Sequence, residues 1–300
     1  MQRLLVTGAS GVLGSSLAAA AARLGREVTG VSFRHPIALA GVKSVAADLT
    51  RRDEAERVLE HAQPECVIHC AAATDVDWCE DHPQEARQAN VEMPRLLAAA
   101  ARRSGAGFLY VSTDAVFDGE RGNYSEQDEP GPVNRYAQTK LEGEQAAQEE
   151  SGGCLVARLS LYGWNPRRRS KPGLAEWVVA NLESGQPMPG FQDVIFTPLY
   201  TGHLSEILLT MTDRRLSGVY HVGSSEACSK YDFAVSLAKA LGRDPSLVRP
   251  ARLEDVPLRA RRAKNTSLCT AKLRAALGQA LPDVHAGIQR FKAERQDPAN

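Results

Sequence analysis

Eight residues near the amino terminus, Thr7-Gly8-Ala9-Ser10-Gly11-Val12-Leu13-Gly14, limit what this chain can fold into more than any other stretch. Before them, Arg3-Leu4-Leu5-Val6-Thr7 is a short apolar run ending at glycine, the pattern of a strand covered on both faces of a parallel sheet. After them, Ser15 to Leu24 is a run of small residues suited to a helix. Strand, glycine loop and helix in this order form the setting of a dinucleotide fingerprint. Gly8 permits the tight turn, Gly11 admits a pyrophosphate close to the backbone, and Gly14 lets the helix lie against the sheet. A diphosphate then rests on the amides and the positive dipole end of the helix.

The alternation continues. A second strand, Glu27 to Phe33, ends in Arg34-His35, with no acid where a ribose lacking a 2′-phosphate is usually met by Asp or Glu. Arg34 offers a guanidinium fork to a phosphate instead, which favours NADP(H) and leaves NAD(H) as the alternative. A short strand at Ser44 to Ala47 delivers Asp48-Leu49, and a helix over Asp53 to Ala62 follows. The strand Glu65 to Cys70 runs into Ala71-Ala72-Ala73-Thr74, small residues that leave room for a ligand across the sheet edge. His69, with no acidic neighbour, reads as a core histidine. One helix is expected from about Pro83 to Arg103, carrying Asn90, before the strand Phe108 to Val111 ends at Ser112-Thr113-Asp114. Strand and helix in strict alternation require a doubly wound parallel sheet with ligands at the carboxyl ends of the strands.

Within a helix begun near Arg135, Tyr136 and Lys140 stand one turn apart on one face. A free phenol titrates near ~10, and a neighbouring ammonium pulls that value down, which would poise Tyr136 for proton transfer. A surface tyrosine beside a solvated lysine is the competing account of the same spacing.

Composition removes other classes of function. Lysine plus arginine and aspartate plus glutamate number 36 each in 300 residues, so no overall field draws nucleic acid or an anionic membrane. The six cysteines form no C-x-x-C pair and read as reduced core residues, and no metal-ligand spacing appears. No signal segment is visible, the alanine-rich run is too short to span a bilayer, and the expected location is the cytoplasm.

The second half is less regular. Cys154 to Leu159 is a fifth long strand, and helices at 174–184, 203–212, 230–241 and 270–277 are expected to build a smaller lobe over the sheet edge. The division is a cofactor domain over 1–162, to which the chain returns near 196–222, and a mainly substrate-binding lobe over 163–300. Between Pro166 and Pro172, Arg167, Arg168, Arg169 and Lys171 read as a solvated loop, with contact to a substrate diphosphate as the alternative. Arg259, Arg261, Arg262 and Lys264 carry the same two readings.

The motifs Thr7-Gly8-x-x-Gly11-x-x-Gly14, Asp48-Leu49, His69-Cys70-Ala71-Ala72, Ser112-Thr113-Asp114-x-Val116-Phe117-Asp118-Gly119 and Asn134-x-Tyr136-x-x-Thr139-Lys140-x-x-Gly143-Glu144 together resemble the extended short-chain dehydrogenase/reductase superfamily. Within it the pattern is similar to the dTDP-4-dehydrorhamnose reductases, and it continues through Thr197-Pro198, Gly218 to His221 and Asn265 to Leu268. The resemblance implies that Tyr136 donates a proton, that Lys140 binds the nicotinamide ribose and that Thr113 bonds a substrate carbonyl. It implies cofactor contacts at Gly8, Ser10, Gly11, Val12, Leu13, Gly14, Arg34, Asp48, Leu49, Ala71, Ala72, Ala73, Thr74 and Asn90, and substrate contacts at Val76, Thr113, Asp114, Ala115 and Leu161. Ala115 and Leu161 stand where such reductases usually carry aromatic residues, which leaves the particular sugar open. The expected ligands are NADP(H) and a nucleotide-linked deoxysugar, and whether a homodimer forms is left open. The same pattern is also similar to the regulatory subunit of methionine adenosyltransferase, a binding partner that keeps the fold. A sugar-nucleotide epimerase or dehydratase is the third reading.

Overall fold

Runs too apolar to face water on either side form the centre of the molecule. In the computed structural model, residues 2–36, 38–166 and 172–295 are described. From β1 (Arg3–Thr7) the glycine loop leads to α1 (Val12–Arg23), then β2 (Glu27–Ser32), β3 (Val42–Ala46), α2 (Arg52–Ala62) and β4 (Cys66–His69). Next come α3 (Val76–Asp81), α4 (Pro83–Arg87), a π-helical turn at Gln88–Glu92, α5 (Met93–Arg103), β5 (Gly107–Val111), a 3-10 turn at Asp114–Val116, α6 (Arg135–Ser151) and β6 (Leu155–Tyr162). The remainder comprises α7 (Leu174–Ser184), β7 (Met188–Phe191), β8 (Ile195–Phe196), β9 (Pro198–Tyr200), α8 (Thr201–Asp213), β10 (Gly218–Val222), β11 (Cys228–Ser229), α9 (Lys230–Ala240), β12 (Val248–Ala251), α10 (Ala271–Leu277) and α11 (Val284–Arg295).

Parallel pairing in the order β10-β6-β5-β4-β1-β2-β3, with β9 beside the end of β6, makes one eight-stranded sheet. The chain winds outward from β1 in one direction and from β4 in the other, so a crevice opens where their carboxyl ends part. Helices cover both faces, as the alternation predicts. Leu17 of α1 and Leu204 and Leu208 of α8 pack on one face, and Val58 of α2 and Leu97 of α5 on the other. A third core joins α7, α9 and α11 around Tyr162, Phe233 and Phe291 to form the smaller lobe.

The helices differ from the sequence reading in three respects. Helix α8, inside the returning segment 196–222, and helix α10 pack on the sheet rather than build the lobe, because Leu204, Leu208, Leu273 and Leu277 complete the core shared with α1 and β10. The helix over 83–103 is continuous but holds a π turn at Gln88–Glu92, where the Asn90 carbonyl accepts from the Tyr110 hydroxyl at 3.2 Å. Helices α3 and α11 went unread, although Val284, Gly287, Ile288 and Phe291 do repeat at helical spacing.

Gly143 is where α6 crosses that π turn. A Cβ there would overlap the Asn90 carbonyl and the Tyr110 hydroxyl. Helix propensity alone favours alanine by ~1 kcal/mol, but overpacking costs ~1–3 kcal/mol. Gly143→Ala should therefore lower Tm in a thermal melt, and a raised Tm would mean the helices part easily.

Candidate active site

Gly8 takes φ +66°, a left-handed conformation that glycine adopts without penalty, and a Cβ on it would come within 2.8 Å of the Ala71 amide nitrogen. On Gly14 a Cβ would overlap the Gly8 carbonyl, so the loop can close only without side chains at these two positions. No side chain caps α1 at Gly11 and no acid lies in its first turn, which leaves that positive end open to an anion. The loop borders a cleft of about 820 Å³ along the carboxyl edge of the sheet, lined by Ser10, Gly11, Val12, Leu13 and Gly14.

Arg34 lines the same cleft at the end of β2, its guanidinium 5.0 Å from the centre of the Phe33 ring. Among the described residues no carboxylate pairs with it. Asp48 and Leu49 follow β3 into the cleft, the Asp48 carboxylate accepting from the Thr50 amide at 3.1 Å and its hydroxyl at 2.6 Å. Ala71, Ala72, Ala73 and Thr74 form the wall after β4. His69 is a core residue, bonded through Nδ1 to the Thr7 hydroxyl at 2.7 Å and pushed down to about 3 by burial and by Lys140.

The glycine loop, Thr113, Asp114, Tyr136 and Lys140 share this one cleft. Asn134 starts α6 by accepting from the Ala137 amide at 2.9 Å, which sets the register that turns Tyr136 and Lys140 inward. Lys140 donates to the Val111 carbonyl at 2.8 Å, with its Nζ 4.0 Å from the Tyr110 ring centre. The expected depressed phenol is not found. Burial first, and the Asp114 carboxylate after it, push Tyr136 up to about 12, against a hydrogen bond with Thr113. Lys140 gives little help because burial pushes its own ammonium down to about 7, with Glu144 and Cys70 working the other way. Asp114, buried beside them, is pushed up to about 6 while accepting from Thr266 at 2.7 Å.

Leu161 lines the cleft, but three expected contacts stand outside its lining. Asn90 lies behind the wall, where its amide takes the Ala73 N–H at 2.9 Å and donates to the Ala73 carbonyl and the Thr139 hydroxyl, each at 3.0 Å. These bonds hold Ala73 in place. Val76 begins α3, and Trp78, two residues on, is the side chain of that helix that reaches the cleft. Ala115 follows Asp114 into the 3-10 turn capped by Thr113, which leads the chain out of the cleft. Arg167, Arg168 and Arg169 lie outside the described residues. The second basic cluster stands outside the lining of the cleft, and Arg259, Arg261 and Lys264 are largely exposed, as a solvated surface run would be. Arg259 pairs with Asp81, Arg261 with Glu120 at 3.6 Å, Arg262 with Asp77 at 2.8 Å and Lys264 with Asp193 at 3.2 Å, tying 259–264 across the mouth of the sheet.

Sequence reading missed Trp78, which stacks on His82 with ring centres 4.5 Å apart, and the lobe residues Thr266 and Lys230 that act on Asp114. A large aromatic just past the small-residue wall was the available signal for Trp78. None marked Thr266 or Lys230, which lie over a hundred positions further on.

A parallel sheet of this order, with its glycine loop at the switch point and a Tyr-x-x-x-Lys helix beside it, is the architecture of an extended short-chain dehydrogenase/reductase. The chain belongs to the family described as RmlD substrate binding domain, which matches residues 1–296. It is 32% identical over 294 residues to the probable low-salt glycan biosynthesis reductase Agl14 of Haloferax volcanii, covering 97% of this chain and 98% of that one. Methionine adenosyltransferase 2 subunit beta of Bos taurus is 31% identical over 290 residues, 94% of this chain and 84% of its own. Among solved structures, dTDP-4-dehydrorhamnose reductase from Bacillus anthracis in complex with NADP superposes with a TM-score of 0.85 at 26% identity, covering 98% of this chain and 99% of that one. No helix among the described residues is long and apolar enough to cross a membrane.

Proposed function

We propose that the protein is an NADP(H)-dependent reductase of a keto group on a nucleotide-linked deoxysugar. The observation that carries this reading is the meeting of Thr113, Tyr136 and Lys140 in one cleft with the glycine loop. The residues present suit the cofactor: the α1 terminus for its diphosphate, Arg34 for a 2′-phosphate, Asp48 and Leu49 for the adenine side, Lys140 for a ribose hydroxyl. When bound, the reduced nicotinamide supplies hydride to the carbonyl carbon. Tyr136, at about 12, keeps its proton at neutral pH and can give it to a developing alkoxide, whose conjugate acid is the weaker acid of the two. Thr113 bonds the oxygen that receives it. The reductases among the relatives support the reading.

NADPH oxidation with dTDP-4-dehydrorhamnose and other nucleotide-linked deoxyketosugars tests it, and no turnover with any of them overturns it. The subunit relative supports a second reading, a cofactor-binding accessory protein, which predicts NADPH binding without turnover. Cofactor choice has its own test. Arg34→Ala should weaken NADPH binding by roughly 1–3 kcal/mol and leave NADH nearly unchanged in a fluorescence titration. Equal losses for both would remove the 2′-phosphate role.

A further inference from the structure

Behind the cleft lies a charged cluster that the proposed reaction does not use. Glu144 is 1% exposed and Arg158, on β6, is 5% exposed. The Arg158 Nε donates to Glu144 Oε1 at 3.0 Å and to Oε2 at 3.1 Å, and its Nη2 donates to Oε2 at 2.7 Å. Ser112, next to Thr113 in the chain, donates its hydroxyl to Oε1. Such pairs are commonly no better for stability than apolar residues of the same volume, so stability alone does not account for the cluster. One turn before Glu144 on α6 stands Lys140, 3% exposed.

We propose that Glu144, clamped by Arg158 and Ser112, is a positioning residue that keeps Lys140 charged for the cofactor ribose; this rests on the function proposed above. Lys140 faces His69 at the end of β4 and Cys70 just after it, Tyr110 from β5, and Tyr136 and Glu144 from its own helix. Burial holds Cys70 and Tyr136 at about 12 and Tyr110 well above its usual value, so these stay neutral at pH 7. His69, at about 3, is also neutral. Asp114 acts on Tyr136 instead. Glu144 is therefore the negative charge that opposes the desolvation of the Lys140 ammonium. Arg158 fixes where that charge sits, with both carboxylate oxygens turned away from rotation.

The sign follows from linkage. Binding that uses the ammonium weakens as pH rises through the Lys140 value, about 7, and removing Glu144 moves that fall to lower pH. The test is NADPH affinity against pH for the parent, Glu144→Gln and the double variant Glu144→Gln/Arg158→Met. Glu144→Gln leaves a buried guanidinium unpaired and can unfold the chain, whereas the double variant removes both charges and should keep the fold. Comparing variants at equal pH cancels the titration of the ligand itself. The double variant should melt near the parent and match its affinity below about pH 6. Above about pH 7.5 it should bind roughly tenfold more weakly for each unit of displacement. Adding Lys140→Met should abolish the difference. A double variant that follows the parent at every pH makes the cluster purely structural and overturns the proposal. A parent that binds no NADPH at any pH overturns the cofactor reading itself, a distinct result.

Discussion

Tyr136→Phe should lower kcat by on the order of 10²–10⁴, the usual worth of a positioned proton donor, with little change in fold or NADPH affinity. The substitution takes one hydroxyl from a ring that still fills its place on α6 beside Thr113. Because Tyr136 is pushed up to about 12, the parent should show no phenol-governed loss of activity between pH 6 and 9 in its rate profile, and a limb in that range would belong to another group. Steady-state rates for parent and variant with a reducible sugar nucleotide decide the matter. Near-parental kcat would make the tyrosine structural and move the proton source elsewhere.

Lys140→Met should be worse for binding. It removes the ammonium assigned to the ribose, and a lost charged hydrogen bond of ~1.5–3 kcal/mol corresponds to a Kd roughly tenfold to a hundredfold higher. Stability should move far less. Methionine has a similar reach, Glu144 keeps its pairing with Arg158, and the losses are the donor to the Val111 carbonyl at 2.8 Å and the ammonium over the Tyr110 ring. Losing that bond is offset by no longer burying an ammonium that burial already pushes down to about 7. A thermal melt beside a cofactor titration separates the two effects. An affinity equal to the parent's would show that Lys140 contacts nothing on the cofactor, and it would remove the basis for the role given to Glu144.

The sheet half of the fold was legible because its signals are local. Leu4 to Val6 and Phe108 to Val111 are apolar over the length of a strand, and glycine follows the first of them closely. The lobe was harder. Helices α8 and α10 carry the same kind of apolar stripe as α7 and α9, and nothing along the chain says which core a stripe will join. The π turn within the helix that carries Asn90 went unread because such a turn leaves no mark in periodicity. It arises from what surrounds Asn90, namely Ala73, Tyr110 and Thr139.

By itself the sequence determined the glycine loop between strand and helix, the one-turn separation of Tyr136 and Lys140, and the small residues at 71–74, since each depends on neighbours along the chain. Only the tertiary structure decided which groups are desolvated and which charges meet. It set Asn90 behind the wall and Trp78 in the cleft, and it paired Arg262 with Asp77, 185 positions away. It also reversed the expected direction at Tyr136. Spacing had placed an ammonium one turn from the phenol, but the site buries both groups, and desolvation outweighs the attraction that spacing alone suggested.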